Sequence, residues 1–291
     1  MSLLSFLEHL ATAAPTARRE AVVQLARTAA AAALPAALGA LTAPSAAAQT
    51  TPTGTILDAL QTALRVEWLQ DEFYGRVLGS IAVTPPVAAG LVPAAIQPDL
   101  ALIRSQQRQH IALLETFVRA SGGIIPARPN YDFTGSKGGA RAALFADVFS
   151  NTDAMLSLAQ ALEDLSARAY TGLVPLLQAN NDLLDVGVRM LAVEGRHAAH
   201  LRQLRRQRGA TIKPWISGAE GTPVPTAGAN IYAGEGLTVQ QVSGASARDT
   251  ASLLPTTGGI TTAEITAAAT EAFDEPLTLV TALRIVEEFT Y

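Results

Sequence analysis

The sequence contains no cysteine, and it has few aromatic and few charged residues. The absence of cysteine excludes disulfides, zinc–thiolate sites and iron–sulfur clusters, so any bound metal must be held by Asp, Glu and His. Aromatic residues make up 5% of the chain and charged residues 16%, whereas hydrophobic residues reach 49%, with alanine prominent among them. This composition favours closely packed helices over sheets.

Strong positive charge and long uninterrupted apolar runs are also missing. The net charge is −4, and no basic stripe with interleaved aromatic residues is present, which argues against a nucleic-acid binder. The most apolar stretch is broken by Pro35 and Gly39 and is shorter than the ~20 residues that span a bilayer. The sequence therefore predicts no stable membrane span.

Residues 1–50 are predicted to be a leader. Arg18 and Arg19 precede the alanine-rich stretch from Thr28 to Leu41, and small residues follow from Ser45 to Ala48. This order resembles a twin-arginine export signal, which implies removal of the leader and export to the periplasm or cell envelope. The alternative is a retained amphipathic helix in a cytoplasmic protein.

Apolar residues spaced three and four apart predict four long helices. Their expected ranges are Thr53–Ser80, Pro98–Ala120, Phe145–Leu177 and Asn181–Gln207. The polar, glycine-rich stretch from Pro126 to Gly139 is a long crossover, which lets the third helix begin at the far end of a bundle. We therefore expect an all-α fold with a four-helix bundle at residues 51–208. A Gly/Pro/Thr-rich extension at 209–291 is predicted to end in short helices near 261–273 and 276–289.

Carboxylates and histidines interrupt the apolar stripe of all four predicted helices. They are Glu67, His110, Glu163, Glu194 and His197. Isolated charges are costly to bury, so several together indicate a metal site or a proton-sharing network. Glu194 and His197 form a Glu-x-x-His pair on one helix face, which can grip one ion. These residues fall into two matching halves, Glu67 with His110 and Glu163 with Glu194 and His197. In each half a tyrosine, Tyr74 or Tyr170, follows the first glutamate by seven residues.

The order helix, helix, crossover, helix, helix, with these ligand types, resembles the ferritin-like superfamily of di-iron carboxylate proteins. The closer resemblance is to bacterial ferritin-like domain proteins of the desiccation-associated group, and it extends to the segments GATIKPWISG and EAFDEPLTLVTALRIVEEF. It implies that the five carboxylate and histidine residues are metal ligands, with Tyr74 and Tyr170 as neighbours of the ligands or as core residues. Gln107 departs from the pattern, because a bridging carboxylate usually stands there. Asp71, one turn after Glu67, is a candidate to compensate.

Three outcomes remain open for this site: two metal ions, one ion held by Glu163, Glu194 and His197, or a metal-free hydrogen-bond network. Ligand chemistry narrows the metal to iron, manganese or zinc, with iron or manganese favoured. The leading hypothesis is a metal-binding protein with oxygen, peroxide or stress-related redox chemistry. The alternative is a non-catalytic structural or stress protein of the cell envelope with a degenerate metal site.

Overall fold

Four long α-helices carry most of the buried apolar side chains. They are α1 (Ile56–Val77), α2 (Gln97–Ala120), α3 (Thr152–Leu173) and α4 (Asn181–Gln207). The computed structural model describes residues 54–84, 86–218, 231–240, 247–254 and 260–291. Helix α1 packs against α2, and α3 packs against α4, while contacts between α1 and α3 join the two pairs. This arrangement confirms the predicted all-α bundle.

The helix boundaries follow local capping chemistry. The Thr55 hydroxyl accepts from the backbone N–H of Asp58 at 3.1 Å, and the Asp58 carboxylate accepts from the Thr55 N–H at 2.8 Å, which forms a capping box. Helix α3 begins at Thr152, not at Phe145 as predicted. The Asn151 side chain caps its first turn, and the apolar residues just before it lie in turns and not in a helix.

The extension adds short elements beside the bundle. Within the described residues these include the helices α5 (Thr262–Thr270) and α6 (Leu279–Glu287), and the antiparallel strands β1 (Val239–Gln240) and β2 (Arg248–Asp249). Helix α6 packs against α1. The backbone at Leu277 approaches α3 so closely that a Cβ atom at Gly172 would lie 1.8 Å from the Leu277 carbonyl oxygen. Only glycine fits there, because that oxygen is part of the backbone.

Aromatic contacts fix the long connection between α2 and α3. The Phe133 ring lies 5.1 Å from Phe73 on α1 and 5.9 Å from Phe289, which follows α6. Tyr131 pairs with Thr290 through an isolated antiparallel bridge. The crossover is therefore packed between the bundle and the end of the chain. It carries the backbone from the end of α2 to the start of α3.

The predicted leader, residues 1–50, lies outside the described residues. Among the helices that the structure does describe, none is both long enough and apolar enough to cross a membrane.

Candidate metal centre

The first group of side chains joins three helices in the middle of the bundle. His110 on α2 places its Nδ1 atom 3.2 Å from Oε1 of Glu67 on α1 and 3.0 Å from Oε1 of Glu194 on α4. Both carboxylates are completely buried, and only 13% of the histidine side chain is exposed. One nitrogen and two carboxylate oxygens therefore converge on one small region that can hold a metal ion.

A second group lies beside the first and has the same composition. His197 on α4 places its Nδ1 atom 3.2 Å from Oε2 of Glu163 on α3 and 3.8 Å from Oε2 of Glu194. All three side chains are buried. The predicted Glu-x-x-His pair of α4 thus faces one common region, and the glutamate from α3 completes it.

Glu194 belongs to both groups, and its two oxygens are divided between them. Oε1 faces His110, whereas Oε2 faces His197. A carboxylate whose oxygens point at two neighbouring imidazoles has the geometry of a bridge between two cations. The residue with this geometry is therefore Glu194 on α4, and the corresponding residue of α2 is the neutral Gln107.

The two tyrosines connect the halves of the bundle. The Tyr74 hydroxyl on α1 donates to Glu163 Oε1 on α3 at 2.6 Å, and the Tyr170 hydroxyl on α3 donates to Glu67 Oε1 on α1 at 2.6 Å. Each tyrosine therefore orients the glutamate of the other half, not the one in its own helix. Such hydrogen bonds hold a carboxylate in the direction that a metal would require.

Several buried oxygens of this cluster accept no hydrogen bond from the described part of the chain. They are Glu67 Oε2, Gln70 Oε1 and Gln107 Oε1. Leaving a buried acceptor without a partner costs about 1–3 kcal/mol. Oxygen acceptors gathered around two imidazole nitrogens fit a hard or borderline divalent cation well.

The comparison with known families agrees with this geometry. The sequence model of the ferritin-like domain matches residues 55–207, which is more than half of the chain and covers α1 to α4. The chain belongs to the ferritin-like domain family. No curated protein matches the sequence. A ferritin-like bundle with buried carboxylates and histidines is compatible with metal binding, whereas the desiccation-associated subgroup stays a prediction.

Gln107 occupies the position on α2 where the resemblance to ferritin-like proteins implied a bridging carboxylate. Its side chain is completely buried, and its amide nitrogen donates to Glu163 Oε2 at 3.2 Å and to Glu194 Oε2 at 3.1 Å. The structure does not bring Asp71 into the cluster. The Asp71 carboxylate instead accepts from Arg104 at 3.0 Å and from Arg128 at 2.8 Å. The centre therefore contains three carboxylates and not four.

Two glutamines that the sequence analysis did not single out also contact the cluster. The Gln70 amide nitrogen donates to Glu194 Oε2 at 3.2 Å, and Gln106 Oε1 accepts from His197 Nε2 at 2.6 Å. The contact to Gln106 fixes the His197 ring so that Nδ1 faces the carboxylates. Gln70 lies three residues after Glu67, so its polar side chain on the apolar stripe was a usable signal. Gln106 is partly exposed, and no feature of the sequence marked it as a contact of the cluster.

Burial and mutual contact shift the pKa values of these groups in opposite directions. Burial, together with the Glu194 charge, raises the pKa of Glu67 to about 7, and the same causes raise the pKa of Glu163. Burial raises the pKa of Glu194 too, but contacts with His110 and His197 outweigh it and hold that pKa well below its usual range. Burial lowers the pKa of both histidines, yet their carboxylate contacts outweigh it and raise each to about 10. In the protein without metal, the two protonated histidines therefore keep Glu194 in its ionised form.

Proposed function

We propose that the ferritin-like bundle binds two divalent metal ions, iron or manganese, and uses them for oxygen or peroxide chemistry. The observation that carries this proposal is the division of the Glu194 oxygens between two groups, each with its own histidine and glutamate. Glu67 and His110 would hold one ion, Glu163 and His197 the other, and Glu194 would bridge them. When bound, such a pair supplies electrons to oxygen or peroxide and accepts them back from a reductant.

The protein groups have defined tasks in this proposal. The three carboxylates supply three negative charges, so two divalent ions leave one positive charge that an anion from solution would balance. Tyr74 and Tyr170 hold their carboxylates in place, and Gln106 holds His197 with Nδ1 towards the ions. The apolar core around the cluster excludes bulk water and strengthens the attraction between ligands and ions.

Metal content measured on matched variants tests the proposal. After anaerobic loading with ferrous iron or manganese and removal of loosely bound ions, we expect two ions per chain in the natural sequence. His110→Ala and His197→Ala should each retain one ion, because each removes the nitrogen ligand of one group. Glu194→Gln should lose both ions, because that carboxylate serves both groups. Oxygen uptake by the loaded protein then tests the redox part.

His200→Ala is the matched control. His200 lies on the same helix three residues after His197, but its side chain is 42% exposed and pairs with Asp99, so both ions should remain. One ion that is lost in His197→Ala and kept in His110→Ala would instead indicate a single site in the second half. No bound iron or manganese in the natural sequence would overturn the metal proposal.

One observation favours the alternative, a non-catalytic protein with a degenerate site. The Gln107 amide nitrogen donates to two of the carboxylates, which is how a metal-free structural network would satisfy them. In that case the cluster specifies the packing of the four helices and has no redox activity. A protein that binds no metal but loses stability in Glu194→Gln would support this alternative.

Metal affinity should rise as the pH increases from roughly 6 to 8. The raised pKa of Glu67, about 7, that of Glu163, and those of His110 and His197, about 10, mean that these ligands hold protons at pH 6 that an ion must displace. Each displaced proton adds about a tenfold gain in affinity per pH unit. Competition with a chromophoric chelator at several pH values measures this gain, and an affinity independent of pH would contradict it.

The stability of the metal-free protein should change in the opposite direction. The pKa of Glu67 is higher in the folded protein, about 7, than in the unfolded chain, 4.5. Its contribution to the free energy of unfolding is therefore complete below pH 4.5 and is lost as the pH rises through 7. The raised pKa values of His110 and His197, about 10 against 6.5 when unfolded, act in the same direction at higher pH. Metal-dependent stabilisation should therefore be largest above pH 7.

A further inference from the structure

A small cavity lies inside the bundle, about one helical turn from the candidate metal centre. Its volume is about 20 Å³, and its walls come from all four long helices. Ala63 precedes Glu67 by four residues, Met190 precedes Glu194 by four, and Leu114 follows His110 by four. Residues four apart share a helix face, so three walls of the cavity continue the faces that carry three of the candidate ligands.

The lining of the cavity is apolar apart from one hydroxyl group. That group belongs to Tyr170, and it already donates to Glu67 Oε1 at 2.6 Å and lies 3.5 Å from the Met190 sulfur. A buried water normally makes about three hydrogen bonds, and apolar cavities without such partners stay dry. The volume exceeds the ~10–15 Å³ that one water-sized molecule needs. A small apolar molecule therefore fits this cavity better than water does.

One side chain, that of Tyr170, contacts both the cavity and the candidate centre. Tyr170 forms part of the cavity wall, and its hydroxyl donates to Glu67 of the first ligand group. Most of the lining residues are buried, including Ala63, Leu114 and Met190. Two lining residues, Phe117 and Val186, are partly exposed, so the cavity lies mostly among buried side chains and is only partly closed off from the surface.

We propose that this cavity binds a small apolar gas, and that in the working protein the gas is dioxygen held beside the metal centre. The choice of dioxygen rests on the function proposed above, whereas binding of an apolar gas rests on the cavity alone. Dioxygen is small and apolar, so an apolar cavity raises its local concentration while water remains outside.

Xenon binding to the metal-free full-length chain tests the cavity directly. Xenon is an apolar probe of such spaces, and titration followed by ¹²⁹Xe chemical shift should show one saturable site. Ala63→Val places two methyl groups in the cavity and should weaken xenon binding about tenfold. Leu60→Ala, at another wall, should enlarge the cavity and strengthen xenon binding.

Ala159→Val is the matched control, because Ala159 precedes Glu163 by four residues as Ala63 precedes Glu67, yet it does not line the cavity. This control should bind xenon as the natural sequence does. A xenon signal that neither Ala63→Val nor Leu60→Ala changes, or that Ala159→Val changes equally, would overturn the cavity proposal.

Oxygen kinetics of the iron-loaded protein separate this inference from the proposed function. We expect Ala63→Val to keep two ions per chain but to raise the KM for oxygen about tenfold, in parallel with the loss of xenon affinity. Oxygen consumption with an unchanged KM in Ala63→Val would overturn the cavity proposal and leave the metal function standing. Xenon binding in a protein that takes up no oxygen would overturn both the dioxygen assignment and the proposed redox function.

Discussion

Replacing Gln107 with glutamate should destabilise the metal-free protein by about 3 kcal/mol and strengthen metal binding by roughly 10- to 100-fold. The Gln107 amide nitrogen lies 3.2 Å from Glu163 Oε2 and 3.1 Å from Glu194 Oε2. A carboxylate in its place exchanges two favourable hydrogen bonds for repulsion between buried like charges, unless it takes up a proton. Two divalent ions reverse this effect, because four carboxylates neutralise them fully.

Thermal unfolding with and without manganese measures both parts of this prediction. The metal-free Gln107→Glu variant should unfold at a lower temperature than the natural sequence, and the addition of metal should raise its Tm by more. Gln109→Glu is the matched control, because Gln109 is exposed on the same helix and should change neither value appreciably. A Gln107→Glu variant that is destabilised equally with and without metal would show that the ions do not lie beside residue 107.

Removal of the Arg168 guanidinium should lower the free energy of unfolding by about 3–5 kcal/mol. Arg168 on α3 is completely buried, and its side chain pairs with Glu235 at 2.6 Å. It also donates to the backbone carbonyls of Glu275 at 2.7 Å and of Ala233 at 2.6 Å. Arg168→Met therefore removes the positive partner of the buried Glu235 carboxylate, which among the described residues keeps only the backbone N–H of Glu275 as a donor, and it leaves several carbonyl groups of the extension without the Arg168 donor.

Urea unfolding monitored by circular dichroism gives the free energy for this comparison. Arg189→Met is the control, because Arg189 is 73% exposed and pairs with Asp185 one turn away, so its loss should cost less than about 1 kcal/mol. The double variant Arg168→Met/Glu235→Leu should recover part of the loss, because it removes the unpaired buried charge. Equal stability of Arg168→Met and the natural sequence would show that the extension does not depend on this contact.

Helix positions and ligand types were predictable from local chemistry. The period of three and four residues located all four long helices, and α4 was predicted with the bounds that the structure has, Asn181–Gln207. The error at the start of α3 arose because the apolar residues from Phe145 to Val148 continue the hydrophobic pattern but lie in turns before the Asn151 cap. A hydrophobic pattern reports burial, and buried turns satisfy it as well as a helix does.

Pairings between helices were not predictable, because they depend on how the bundle closes. The repeat placed each tyrosine seven residues after a glutamate but did not say which glutamate it contacts, and the structure shows that each tyrosine donates to the glutamate of the other half. Asp71 lies on the same helix face as Glu67, yet Arg104 and Arg128 satisfy its charge. Sequence spacing defines a face, but it does not say which neighbour a flexible side chain meets.

The sequence by itself determined the all-α class, the four long helices and the five carboxylate and histidine residues that interrupt their apolar faces. Helical periodicity and the cost of burying charge are local or general properties, so they can be read without coordinates. Only the tertiary structure decided that Glu194 is shared between two groups, that Gln107 donates to two of the carboxylates, and that a cavity lies beneath them. These features depend on rotamers and on the distances between helices, which packing of the whole bundle sets.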